Sequence, residues 1–345
     1  MQKLSLAFID HSFHKKSRSG DFLREIFRER FDIVDYWDES WHGGLTVSPD
    51  DINKHDYAFY FQSLNPVSEL RKIKVPILWA PMYDGIKFNY IRWKAISQFD
   101  IKVLSFSRRI TKWLERFSMP VLSLQYYAKP HEGSPTSSTE GNRLFFWYRG
   151  DVSFDDLKRL IDPGEIKQFV YFENPDPNGQ TTPMTDEDVR RFKIKRVSES
   201  FLPKEKYLDL VDSANIFVAP RRKEGIGMSF VEALARGKCV IGYKDATLDE
   251  YVTDGIDGLL FDEETKSLDM RRVVEIAAAA RSRAAAGYAT WLSEREKIPS
   301  FLLEPYRARR SALSVALWST LDSCAAFYRK VRYYVSTKLW NRSSP

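Results

Sequence analysis

The chain of 345 residues reads as an α/β protein built from two parallel-sheet halves that face each other across a cleft. Three observations predict this. Short apolar runs of strand length alternate with amphipathic helical stripes along most of the sequence. The alternation is interrupted once, by a stretch that cannot join a core. The length suits two domains at roughly 150 residues each. Parallel strands need crossover connections, which a β-α rhythm supplies, and open parallel sheets bind ligands beyond the carboxyl ends of their strands.

The first strand, residues 4–9, ends at the charge of Asp10. Phe22, Leu23, Ile26 and Phe27 recur at i, i+1, i+4 and i+5, so residues 21–31 form a helix with one apolar stripe. Residues 33–36, 57–61, 77–80 and 103–107 are further short strands, with helices at 68–72 and 90–98 between them. Residues 129–142 are rich in Pro, Gly, Ser and Thr, carry no large apolar side chain and read as a linker. Beyond it the rhythm restarts, with strands at 144–148, 169–172, 194–197, 216–219 and 239–243. Helices fall at 153–161, at 204–213 and from Ser229. From Leu313 a long amphipathic helix (Leu317, Leu321, Cys324, Tyr328) runs into a basic aromatic tail. The expected divisions are residues 1–128, a linker 129–142, residues 143–305, and a C-terminal helix and tail 306–345. The final helix is expected to cross back to the N-terminal half.

Composition removes several classes of function. Apolar residues make up 43% and aromatics 14%, enough for packed cores and unlike a disordered chain. Lys and Arg number 53 against 47 Asp and Glu; a net charge of +6 over this length does not mark a nucleic-acid binder. Cys239 and Cys324 are too few for a disulfide framework, and no C-x-x-C occurs, so a reduced, cytoplasmic setting is expected. The apolar N-terminus is too short for a signal-peptide core, and no run of about 18 apolar residues would span a bilayer. A peripheral membrane contact stays open. The Tyr, Trp, Lys and Arg of the tail suit the headgroup region of an anionic membrane. The competing reading is a helix packed on the N-terminal half with a frayed end.

Chemistry is concentrated between Asn215 and Ile241. A buried strand, residues 216–219, runs through Arg221-Arg222-Lys223-Glu224-Gly225-Ile226-Gly227 into a helix that begins Met228-Ser229-Phe230-Val231-Glu232. Gly225 and Gly227 let a ligand approach the backbone. The free N–H groups of the first turn, near residues 229–231, make an anion site. Glu224 on the loop and Glu232 in about the first turn can face one ligand from opposite ends of that site. A carboxylate accepts two parallel bonds from vicinal hydroxyls, so a sugar, a diphosphate and a ribose would satisfy the array. Taken singly, a Gly-x-Gly before a helix and a Glu favoured by the helix dipole are also structural devices.

With the segments that follow, Cys239-Val240-Ile241-Gly242 and Tyr251-Val252-Thr253-Asp254-Gly255-Ile256-Asp257-Gly258-Leu259-Leu260-Phe261, residues 193–262 resemble the nucleotide-sugar half of glycosyltransferase family 4. Enzymes of that family have the GT-B architecture of two Rossmann-like domains. The resemblance is specific over about a fifth of the chain and architectural elsewhere. It implies that Glu224 holds hydroxyls of a donor sugar, that Glu232 holds the ribose, and that N–H groups from Gly227, Met228, Ser229 and Phe230 face the diphosphate. Arg149, after the strand 144–148, would be one of the family's basic pair; the usual Lys is missing and Lys158 is a poor substitute. Arg221, Arg222 and Lys223 could supply part of that charge or form an exposed loop cluster.

In the N-terminal half, Gly20 lies in a Ser-Arg-Ser-Gly-Asp stretch where such enzymes place a glycine loop; a helix cap at Ser19 would also explain it. Met82, Tyr83 and Asp84 stand where the family often has a His. Asp84 is the acidic candidate at the cleft, or else a turn residue before Gly85. His11 and His14 are acceptor contacts or merely polar loop residues. The resemblance implies a retaining transfer of sugar from a nucleoside-diphosphate donor to a glycan or lipid-linked acceptor of the cell surface. No metal or other cofactor is expected, since Asp186-Glu187-Asp188 reads better as a capped helix start after Thr185. Another two-Rossmann nucleotide-sugar enzyme, an epimerase or an inverting transferase, and a non-catalytic binder are the alternatives.

Overall fold

The computed structural model describes residues 3–133, 141–176, 184–199, 202–308 and 310–340, with the backbone alone at 330 and 333–340. The first sheet consists of β1 (Leu4–His11), β2 (Phe31–Asp38), β3 (Tyr57–Phe61), β4 (Ile77–Ala80), β5 (Ile101–Ser105) and β6 (Val121–Ser123), in the order β2-β1-β3-β4-β5-β6. The second holds β7 (Asn142–Tyr148), β8 (Ile166–Glu173), β9 (Ile194–Val197), β10 (Ile216–Val218), β11 (Cys239–Tyr243) and β12 (Leu259–Phe261), in the order β12-β11-β10-β7-β8-β9. Every pairing is parallel. Strands covered by helices on both faces have no solvent side, which is why β4, β5, β10 and β12 are buried at every residue.

The strand order reverses between β7 and β10 in the second sheet, and between β1 and β3 in the first. Open sheets leave a crevice at such reversals. Arg149 follows β7 and the glycine loop follows β10, so both overhang the crevice of the second sheet.

The C-terminal helices tie the halves together. Helix Val273–Glu294 starts in the second half, yet its Trp291 ring meets Phe22, Phe106 and Tyr126 of the first, with centroids 5.8, 6.3 and 5.3 Å away. Gly287 on this helix makes room for Tyr127, since a Cβ there would stand 2.5 Å from its ring. Lys102 in β5, 4% exposed, donates to the carbonyls of Phe301 and Glu304 at the end of helix Lys297–Leu303. The final helix, Ala312–Trp340, lies on helix Tyr90–Ile96, where Asp322 pairs with Arg92 at 3.3 Å. The expected return to the N-terminal half is therefore present. One core cluster is continuous through both halves, running from Leu6 and Phe8 to Phe217 and Phe230.

Some expected boundaries shift. Phe31 opens β2 instead of closing the preceding helix, which ends at Arg28. Residues 106 and 107 lie beyond β5. Asn142 begins β7, so the linker reading fails there, and residues 134–140 of that stretch lie outside the described residues. β6 and β12, three residues each, are too short to show a period in the sequence.

Candidate active site

Five charged side chains converge at the crevice. Arg149 Nε and Nη2 both donate to Asp176 Oδ1, at 2.9 and 2.5 Å, while its guanidinium lies 4.8 Å from the Trp147 ring centroid. Asp176 Oδ2 accepts from Arg221 Nη2 at 2.5 Å, so one carboxylate bridges two guanidiniums. Arg221 Nη1 lies 3.4 Å from Asp84 Oδ2, linking the second half to the first. Glu224 completes the group. Burial pushes its carboxyl up to about 7; Arg221 opposes the shift and the Asp84 charge adds to it. Burial also raises the carboxyl of Asp84, again against the pull of Arg221. Desolvation works against the charge on Arg221, but Glu224, Asp176 and Asp84 outweigh it.

The glycine loop is shaped by close approach. Gly227 has φ +75° and caps the helix Met228–Ala235 without a side-chain hydrogen bond. The first intrahelical bond runs from the Val231 N–H to the Gly227 carbonyl, so the N–H groups of Met228, Ser229 and Phe230 precede the helical ladder. This is the positive end of the helix. The Phe230 side chain is core, leaving only its backbone for a ligand. Glu232 is the fifth residue of the helix, just past its first turn, because the helix begins at Met228 and not at Ser229. Burial raises its carboxyl, and Lys204 and Arg236 oppose the shift.

Of the basic triplet, Arg221 alone joins the cluster. Arg222 bonds Asp156 at 3.0 Å and Glu263 at 2.9 Å, and Lys223 stands 3.8 Å from Asp245. Lys158 pairs with Asp155 and Asp188 at 2.7 and 3.7 Å and makes no contact with the cluster. Gly20 caps the helix Asp21–Arg28 at an ordinary φ of −92°. A Cβ there would meet Arg24 at 2.6 Å and Asp10 at 2.7 Å, so the glycine makes room for this buried ion pair. Ser19 is not a cap; its hydroxyl meets that of Ser17 at 2.9 Å. His14 is anchored on Asp10 at 2.6 Å, and His11 stacks on Trp41 at 4.5 Å. Thr185 caps Asp186–Arg191 in a reciprocal box with Asp188. Among the described residues, no group of three or more His, Cys, Asp or Glu is arranged to hold a metal ion, and no helix is long and apolar enough to cross a membrane.

Sequence reasoning missed Asp176 and the contacts that hold the halves together. Asp176 lies in Asn-Pro-Asp-Pro after β8, which signals only a turn. Glu250, 7% exposed, accepts from the Ser107 hydroxyl at 3.0 Å and from the Arg108 and Arg109 N–H groups at 2.7 and 3.4 Å. Arg109 also pairs with Asp245 and, at 2.8 Å, with Asp249; the Tyr83 hydroxyl reaches Asp245 at 3.2 Å. No local pattern announces partners more than a hundred residues apart.

Residues 199–285 match the family model described as Glycosyl transferases group 1. No curated protein matches the chain in sequence. Among solved structures, HepE of Anabaena in complex with UDP and glucose is similar at TM-score 0.60 and 13% identity, covering 88% of this chain and 100% of that one. Sucrose-phosphate synthase of Thermosynechococcus elongatus is similar at TM-score 0.59 and 12% identity, covering 87% and 98%. A glycosyltransferase of Rickettsia africae is similar at TM-score 0.57 and 12% identity, covering 89% and 100%. These likenesses agree with the two six-stranded parallel sheets in giving the chain the GT-B fold. The chain therefore has the GT-B fold, and its C-terminal half carries a segment similar to the glycosyl transferases of group 1.

Proposed function

We propose that the chain is a retaining glycosyltransferase of family 4 that moves a sugar from a nucleoside diphosphate to a glycan or lipid-linked acceptor, in the cytoplasm, during cell-surface polysaccharide synthesis. The observation that carries this reading is the convergence of Arg149, Arg221 and Glu224 beside the positive end of helix Met228–Ala235. Two guanidiniums and a helix N-terminus supply the positive charge that a departing diphosphate needs, so no metal is required. Preorganised donors stabilise that charge most where it is greatest, in the transition state.

In this reading Glu224 holds hydroxyls of the donor sugar and Glu232 those of the ribose. The N–H groups of Gly227, Met228, Ser229 and Phe230 face the diphosphate, with Gly225 lining its approach. Arg149 and Arg221 exchange Asp176 for phosphate oxygens as donor binds. Asp84 meets this site from the acceptor side, residues 1–128, while residues 143–305 form the donor side. The acceptor hydroxyl attacks the face that the diphosphate leaves, which keeps the anomeric configuration. HepE is known in complex with UDP and with UDP-glucose, which supports uridine nucleotides as the first to try.

The test is thermal stability of the purified chain against UDP, GDP, dTDP, ADP and CDP, each with magnesium and with EDTA. A ligand at about 100 times its Kd adds roughly 2.7 kcal/mol, a shift of a few degrees. A shift with one diphosphate that survives EDTA is expected; no shift with any of them would sink the reading. Nuclear magnetic resonance of the product anomer then tests retention, and turnover of nucleotide sugar without acceptor would favour an epimerase.

A further inference from the structure

We propose that the outer face of helix Ala312–Trp340, together with the ledge joining it to the cleft, docks on an anionic lipid surface. The inner face of the helix is spent on the protein. Val315 and Trp318 pack against the first half, and Asp322 is buried on Arg92. The outer face carries Leu313, Leu317, Leu321, Phe327, Tyr328 and Val331, with Leu313 84% and Phe327 70% exposed. At 100° per residue these six fall within about a third of the helix circumference, opposite Val315, Trp318 and Asp322. A continuous apolar stripe of this kind on a folded protein marks an interaction surface.

Charge selects the occupant. From Ser311 to Pro345 the basic residues are Arg329, Lys330, Arg332, Lys338 and Arg342, and the one acid is Asp322, already engaged. Arg329 and Arg332 are exposed beside the stripe. Two copies of this helix side by side would bring like charges together, whereas an anionic bilayer attracts them.

A second patch is continuous with the first. Tyr90 meets Trp318 of the helix at 6.2 Å and is 49% exposed; Phe88 is 41% exposed and meets Tyr83 at 5.7 Å. Lys87 beside it is exposed too. This aromatic and basic ledge runs from the helix to the loop that bears Asp84. Docking there sets the acceptor side of the cleft against the lipid. That last consequence rests on the proposed transferase reading; the docking itself does not.

Flotation of the full chain with phosphatidylcholine vesicles, with and without phosphatidylglycerol, tests the proposal without nucleotide or turnover. Wild type is expected to float with the anionic vesicles only, and less so as salt rises. Leu317→Glu/Leu321→Glu, whose sites are exposed, should bind roughly ten times more weakly or not at all while melting as wild type does. Phe88→Ala/Tyr90→Ala should weaken binding by a smaller factor. Equal flotation of wild type and the double glutamate variant, or none by wild type, would overturn it. So would sedimentation showing a lipid-free dimer that the same variant dissociates, since the face would then belong to a second copy. In each case the nucleotide-induced thermal shift still reports on the transferase site independently.

Discussion

Gly225 lies against Met82: a Cβ added to the glycine would stand 2.8 Å from both the Cβ and the Sδ of the methionine. The loop after β10 and the loop after β4 thus touch across the cleft, and the absence of a single methyl group sets their separation. Gly225→Ala should cost roughly 1–3 kcal/mol or push the halves apart. Melting temperature and transfer rate should both fall. Met82→Ala in the same chain removes Sδ and Cγ but keeps Cβ, so it should restore part of the loss. Full activity of Gly225→Ala alone would mean that the contact is not what spaces the halves.

Glu250 gathers three donors from the opposite half, and removing it leaves buried donors unpaired. Glu250→Ala should destabilise the chain by roughly 2–4 kcal/mol in urea unfolding. Glu250→Gln keeps an acceptor oxygen and should lose less.

The carboxyl of Glu224 gives stability a pH dependence of definite sign. It is harder to ionise in the folded chain, near 7, than at its ordinary 4.5. Below that ordinary value it is protonated in both states and contributes nothing. Between 4.5 and 7 the unfolded chain ionises first, so stability falls as pH rises; above 7 the penalty is constant. Glu224→Gln should therefore match wild type near pH 4 and exceed it by up to about 3 kcal/mol above neutrality. Parallel stability curves across that range would show that the carboxyl titrates normally.

Under the proposed function, Glu224→Ala and Glu232→Ala should abolish transfer while leaving a cooperative melt. Full activity in either contradicts the assigned site.

Arg149 and Arg221 share Asp176, so they should act as a unit. Arg149→Ala and Arg221→Ala should each weaken nucleoside-diphosphate binding by roughly 10- to 100-fold, the scale of charge-assisted hydrogen bonds. The double variant should lose less than the product of the two. Arg222→Ala, whose side chain is engaged with Asp156 and Glu263, should leave affinity unchanged by calorimetry.

Much of the frame was legible because parallel strands are apolar throughout and their crossovers are amphipathic. Residues 57–61, 77–80, 194–197 and 239–243 were expected at the bounds observed. Gly225, Gly227, Glu224 and Arg221 could be picked out because a strand, a glycine loop and a helix follow one another locally. Asp176, Glu250 and Arg109 could not, because their partners come from other parts of the chain. Lys158 and Arg222 stayed open in the sequence because a basic residue after a strand has the same local signature whether it joins the cluster or pairs elsewhere, as these two do with Asp155 and Asp156.

Lys102 sits in β5, one strand in from the edge of the first sheet, yet the carbonyls that accept its hydrogen bonds belong to Phe301 and Glu304. During synthesis about two hundred residues must leave the ribosome after this strand before its ammonium group can be satisfied. Until then that ammonium group has only water as its acceptor, and the aromatic pocket of Phe22, Phe106 and Tyr126 waits for Trp291. The first half therefore completes its packing only with the C-terminal helices. A nascent chain stopped before residue 290 should stay sensitive to protease in its N-terminal sheet, and release of the remaining residues should close both halves in one cooperative step.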